Sequence, residues 1–431
     1  MRRILTQTVG MQGLGVALMF GVTLLVSRLG GPESQGNFAL VKSATDLQVA
    51  IFSFGLPPAI VFLLNRTGTG HRAAFRLSLL YGLVLVLVLP LLDFVLLLAS
   101  GAVTGLPQIA AHAIGIGLAS AAMTALALLR GLLLVHDDGP AFSSLSILQW
   151  AVIALVAVLL LNRSAYVFEL AYLIAGIASL CAVLMLLQRT GCYRIQESLT
   201  KNDSGSIVDD GINWPIIRSQ SGNVLLQAVT LGLQPFLSNL LLSRSEHGSV
   251  DVGLFNVASM VVVIPNLLVA LVAPVLYNRW SKTLEWAGLS KIVRNALWLG
   301  VAAQCLTLLA MPLVEPVILL VFGEPFAAAA TATRVLLLAT LPIIAGRIVS
   351  PALQGIGSTL WVSVSCIVRL VVAISLTLAG MGLDASPILA LAAAWCAGEY
   401  AALAVLLMKS LKPQASRTFG ASIPSAEALP N

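Results

Sequence analysis

Lys42 and Asp46 stand four residues apart inside an otherwise apolar stretch, "NFALVKSATDLQVAIF". On a helix that spacing puts both on one face, one turn apart. Near a helix centre in a membrane, each charge costs roughly 2.5–3.5 kcal/mol to insert. Pairing lowers that cost, and a watery cavity lowers it further. The pattern therefore fits a structural ion pair, and it also fits a cation that attracts an anionic group with Asp46 orienting it. A second polar cluster opens a later apolar stretch: "RSQSGNVLLQ" carries Arg218, Gln220, Asn223 and Gln227. Arg218 can line a cavity or simply reach the membrane surface along its apolar stem. Arg369 falls near the middle of another apolar stretch, and Glu399 on the next is its obvious partner, as a structural pair or a coupling site. Asp93 and Glu169 are the intramembrane acids of the first half, each a candidate proton or sodium site.

Other chemistries lack their residues. No GxxxxGK[ST] loop is present to cradle a nucleotide, no GxSxG elbow and no HExxH pair. The four histidines, His71, His112, His136 and His247, are isolated in sequence. The five cysteines, Cys181, Cys192, Cys305, Cys366 and Cys396, form no CxxC pair and suggest neither a disulfide framework nor a metal site. No cofactor is implied. The net charge of +6 reads as loop charge on a membrane protein and not as a nucleic-acid footprint. No external loop is large enough for a catalytic domain, which argues for movement over chemistry and against a glycan polymerase or glycosyltransferase.

These charges need elements that hold them in a bilayer. Of 431 residues, 58% are hydrophobic and only 10% charged, against about 25% charged in a soluble domain. The mean hydropathy is +0.97. Apolar stretches long enough to span a bilayer, about 20 residues each, recur down almost the whole chain. No ten-residue alternation of a β-barrel strand appears. The expectation is an all-α polytopic membrane protein of about 12 transmembrane helices, at 7–28, 37–64, 73–99, 108–134, 140–162, 165–188, 212–243, 252–278, 290–313, 328–349, 355–381 and 386–409. The polar break near Gln188 to Asn213 divides them into a six-helix lobe at 1–190, a cytoplasmic linker at 191–211 and a second six-helix lobe at 212–410. A polar tail at 411–431 is expected to be disordered. Met1-Arg2-Arg3 precedes an apolar segment too long for a signal-peptide core, so the first helix is expected to stay.

Lys and Arg concentrate in the loops that are cytoplasmic when the N-terminus is inside, Arg66, Arg72, Arg76, Arg130, Arg279, Lys282 and Arg347 among them. That bias predicts both termini in the cytoplasm. The lobes also echo one another. "LLVSR" ends the first helix at Arg28 and "LLLSR" ends the seventh at Arg244. Gly36-Asn37-Phe38 then matches Gly253-Leu254-Phe255, and Asn65-Arg66 matches Asn278-Arg279. Six helices per half start both halves on the same face, which makes a parallel repeat about an axis along the membrane normal. Ser259 stands where the repeat would place Lys42. Gly10, Gly13, Gly15 and Gly21 in the first helix and Pro57-Pro58 in the second are compatible with helices that pack closely and bend.

The stretch "LLVSRLGGPESQGNFALVKSATDL…FSFGLPPAIVFLLNR" resembles the opening of bacterial polysaccharide flippases, the O-antigen and exopolysaccharide exporters of the multidrug/oligosaccharidyl-lipid/polysaccharide (MOP) superfamily. Arg28, Gly31-Pro32-Glu33, Gly36, Phe38 and Gly55-Leu56-Pro57 carry that resemblance, and Gly323, Glu324, Phe326 and Leu336 to Leu338 carry a second. It implies two lobes about a central cavity lined chiefly by helices 1, 2, 7 and 8, alternating access, and a polyprenyl-pyrophosphate-linked oligosaccharide as cargo. It also implies a bacterial cytoplasmic membrane, a polysaccharide polymerase as possible partner, and H+ or Na+ as possible coupling ion. Lys42, Arg218 and Arg28 would suit a pyrophosphate that must leave water. Two alternatives remain open, a MATE-like drug/cation antiporter and a membrane glycan polymerase. Twelve helices disfavour the peptidoglycan-precursor relatives, in which fourteen are usual.

Overall fold

The computed structural model describes residues 2–67, 71–100, 105–135, 139–161, 163–189, 214–262, 280, 286–356, 358–382 and 386–411. The expected linker and tail lie outside these residues, Leu411 excepted. Fourteen α-helices follow in order: α1 Arg2–Phe52, α2 Leu56–Thr67, α3 His71–Ser100, α4 Leu106–Val135, α5 Gly139–Leu160, α6 Val167–Arg189, α7 Trp214–Leu242, α8 Ser249–Val262, α9 Trp286–Ala310, α10 Val314–Val321, α11 Ala329–Leu337, α12 Thr340–Gly355, α13 Thr359–Met381 and α14 Pro387–Leu411. The described residues contain no strand. Leu, Ala and Val dominate these segments, and a chain in lipid must satisfy its backbone within each segment, which a helix does.

Nine of the described helices are long and apolar enough to cross a membrane, and α11 with α12 adds one more span bent by 50°. α1 holds two passes. Its 51 residues are interrupted at Gly31, where φ is 71° and Pro32 follows. Ser27 and Gln35, eight residues apart, bring their side-chain oxygens within 3.2 Å. A straight helix would separate them by about 12 Å of rise, so the chain bends sharply between them. With both arms of α1 and the bent pair counted, eleven of the twelve expected passes are matched in order; α8 begins the eighth, whose residues 263–278 lie outside those described. Two boundaries shift. The second pass breaks at Ser53–Gly55, where Phe54 and Gly55 take φ of 49° and 65°. The tenth runs on to Gly355, six residues past its expected end.

Exposed leucines mark the lipid side. On α3, Leu83, Leu87 and Leu91 recur every four residues and are 65–75% exposed. Opposite faces build separate cores. The first core gathers Val22 to Leu187 around α4, with Met123, Leu129 and Leu133 buried. The second half has its own, around Phe255, Ile318, Phe326 and Leu391, and around Val293, Val349 and Leu406. Ala39 from the first half joins the second core, at the seam between them.

Candidate functional site

The seam is built from the C-terminal arm of α1 against α7. Asn239 on α7 donates to the Ala39 carbonyl at 3.2 Å and to the Ser43 hydroxyl at 3.1 Å, all buried. About two turns along α7, Gly232 meets Leu47 and Ala50, so closely that a Cβ would lie 3.3 Å from the Leu47 Cα. Residues 39, 43, 47 and 50 therefore form the contact stripe, and helical spacing places Lys42 and Asp46 along its edge. Lys42 Nζ pairs with Asp46 Oδ2 at 2.5 Å, with the side chains 31% and 50% exposed. Within electrostatic reach of Asp46 lies Tyr172, whose buried hydroxyl has no hydrogen-bond partner among the described residues. No spacing in the sequence links Tyr172 on α6 to Asp46.

At the Gly31 end, the halves cross backbone to backbone. A Cβ on Gly36 would fall 1.8 Å from the Ser249 carbonyl oxygen, and one on Gly253 would fall 1.9 Å from that of Pro32. Gly36 and Gly253 are the matched glycines of the repeat, and Pro32 and Ser249 each precede them by four residues. The contact is thus reciprocal, as a two-fold axis between the glycines requires. Arg28 reaches across the same end. Its Nε donates to the Val321 carbonyl at 2.7 Å and its Nη2 to the Leu320 carbonyl. These belong to the last turn of α10, where carbonyls lack helical donors and carry the negative end of the helix dipole. Arg28 and Lys42 therefore engage different partners, and Arg28 serves the crossing in this conformation.

Within the second half a polar belt joins α7 to α12 and α13. Asn223 donates to Thr359 at 3.3 Å, Gln227 to Ser363 at 3.1 Å, and Gln354 to Gln227 at 2.9 Å. Asn223 thus ties α7 to α13. Beside the belt, Arg369 Nη1 donates to Glu399 Oε1 at 3.1 Å, and this pair borders a cavity of about 230 Å³. Arg347 lines the same cavity. The sequence places Arg347 near the cytoplasmic side; α12 continues eight residues beyond it, about 12 Å of rise, so it stands within the span with its side chain exposed to the cavity. Arg218 and Gln220 lie in the first two turns of α7, and their side chains are outside the described residues.

The acids of the first half are each held by a neighbour. Asp93 on α3 accepts from the Gln48 amide, and its second oxygen is buried without a partner among the described residues. Glu169 on α6 meets His112 Nδ1 on α4 at 2.7 Å, with the imidazole edge-on to Tyr166. His112, isolated in sequence, is not isolated in the fold. Ser259 bonds back to the Asn256 carbonyl at 2.9 Å, so the repeat position of Lys42 holds no charge.

No protein-family model matches the sequence, and no curated protein does either. Solved structures do share the fold. Lipid II flippase MurJ in an inward closed conformation superposes with a TM-score of 0.70 at 14% identity, over 95% of this chain and 87% of that one. A multidrug resistance MATE family transporter of the MOP superfamily, in its inward-facing conformation, gives 0.68 at 15% identity, over 94% and 93%. A MOP superfamily transporter from Pyrococcus furiosus, described by a reversed polarity of its binding pocket that suggests a different function, gives 0.66 at 15% identity, over 95% and 94%. The chain shares its fold with these three structures.

Proposed function

We propose that this chain is a transporter that flips a polyprenyl-pyrophosphate-linked oligosaccharide from the cytoplasmic to the outer leaflet of a bacterial cytoplasmic membrane. Lys42 carries the reading: it is a partly exposed cation at the edge of the seam between two halves that share a transporter fold. Lys42 would meet the pyrophosphate as Asp46 lets go, because a charged donor offsets the loss of water around the phosphates. Arg218, Gln220 and Asn223 lie on the same facing helix 16–21 residues before Asn239, about 24–32 Å of rise from the level of Lys42, so they would meet the cargo at the other end of its path and not together with Lys42. The Lys and Arg bias of the loops supports cytoplasmic N- and C-termini. In that orientation the Gly31 end is the outer end, and its tight crossing corresponds to a state closed to the outside. Release outward then requires Gly36 and Gly253 to part and Arg28 to leave α10, which is how alternating access would operate here.

A drug/cation antiporter is the second reading, since multidrug MATE transporters share the fold. It would need a free carboxylate at the seam. Asp46 is held by Lys42, while Asp93 and Glu169 are buried against partners in the first half. H+ or Na+ coupling through those acids belongs to either reading. The deciding experiment deletes the gene and extracts lipids. Build-up of polyprenyl-linked repeat units on the cytoplasmic face is the expected result, whereas an unchanged lipid profile with new drug sensitivity supports the antiporter. Lys42→Ala is expected to lower surface glycan at unchanged protein level, and full glycan output from it would remove Lys42 from the site.

A further inference from the structure

Among the described residues, the second half carries more positive charge around its cavity than it neutralises. Three ionisable charges line the cavity: Arg347 on α12, Arg369 on α13 and Glu399 on α14. Glu399 accepts from Arg369. Among the described residues, Arg369 Nε is buried without a partner and Arg347 makes no hydrogen bond, while Arg347 lies within electrostatic reach of both others. Two guanidinium groups thus share one carboxylate. An uncompensated cation within a membrane span is expensive, and the cheapest compensation is a counter-charge. Arginine stays protonated under any physiological condition, so it cannot relieve the excess by losing its proton.

The wall around Arg347 is suited to such a counter-charge. Arg347, Ser350 and Gln354 follow one another at three- and four-residue spacing, so α12 presents all three on one face, and all three line the cavity. The cavity's roughly 230 Å³ exceeds the share of a single water several-fold, about 30 Å³. We propose that this cavity is a binding site for one compact inorganic anion, a halide or a phosphate-type oxyanion, seated against the Arg347 guanidinium with Ser350 and Gln354 as further donors. The site is internal to the second half and separate from the seam at Lys42. It stands or falls independently of the flipping activity.

The test uses the purified full-length protein in detergent. Thermal unfolding is followed as sodium chloride replaces sodium gluconate at constant ionic strength, and a second series uses sodium phosphate. A saturable rise in the unfolding midpoint is expected in at least one series, with the series that responds identifying halide or oxyanion. Arg347→Gln is expected to abolish the saturable rise, and Glu399→Gln to lower the half-saturating concentration at least threefold by leaving a second cation uncompensated. Phosphate also stabilises proteins generally by exclusion from their surfaces, but that effect does not saturate and survives Arg347→Gln. Should Arg347→Gln fail to fold, Ser350→Ala, which keeps every charge, is expected to weaken binding at least twofold. A midpoint indifferent to anion identity in both series, or an unchanged saturable rise in Arg347→Gln, overturns the proposal.

Discussion

The two halves share a repeat yet treat charge in opposite ways. In the first, the two buried carboxylates each sit against one neighbour: Asp93 with Gln48, Glu169 with His112. In the second, Arg347, Arg369 and Glu399 border a common cavity, and among the described residues two cations there face one carboxylate. Where the halves meet, they become equivalent again, as Gly36 and Gly253 each press on the other's backbone. The repeat is strict where backbone must cross backbone and loose where side chains confer polarity. Shape is thus inherited by both halves, while chemistry is assigned to each separately.

The contrast breaks most visibly at Glu399. Glu399→Leu leaves two arginines unpaired in the membrane interior, and breaking a buried pair on one side costs about 3–5 kcal/mol. Water in the cavity places the expected loss at the lower end, read as a fall in the thermal midpoint in detergent that Arg369→Gln partly restores. Gly36→Ala and Gly253→Ala test the shared crossing. Each added methyl meets a carbonyl oxygen, and overpacking of this kind costs about 1–3 kcal/mol. Both are expected to weaken closure at the Gly31 end to a similar degree, read by cross-linking of cysteines placed at Pro32 and Ser249. Unequal effects would show that the crossing is not two-fold. His112→Ala strips Glu169 of its partner, which costs about 1–3 kcal/mol for a buried group left unsatisfied. Asp93→Asn should change least, because an amide still accepts from Gln48. A loss of midpoint as large as that of Glu399→Leu would erase the distinction between the halves.

Much of this arrangement is legible in the chain. The apolar stretches report their own length, so the passes are readable. Lys42 and Asp46 are bound by local geometry, one turn apart, and their pairing needs no tertiary information. Arg369 and Glu399 are readable for a different reason: an intramembrane charge demands a partner, and few candidates exist. Arg347 was hidden because a cation near an expected helix end reads as a surface residue, and only the true end of α12 moves it inward. His112 was hidden because its partner lies 57 residues away on another helix. Nothing local tells Arg28 that its acceptors are Leu320 and Val321, nearly three hundred residues on.

The sequence by itself determined the membrane, the number of passes, the turn at Gly31-Pro32 and the pair at Lys42 and Asp46. Each follows from hydropathy, backbone freedom or helical spacing, which act within a few turns of chain. Tertiary structure alone decided which face of each helix meets the seam, that Gly36 and Gly253 cross, that Arg28 clasps α10, and that Arg347 faces a cavity. Those outcomes depend on how rigid helices settle against one another. In lipid, where the hydrophobic effect does not choose between faces, close packing and the pairing of a few polar groups make that choice.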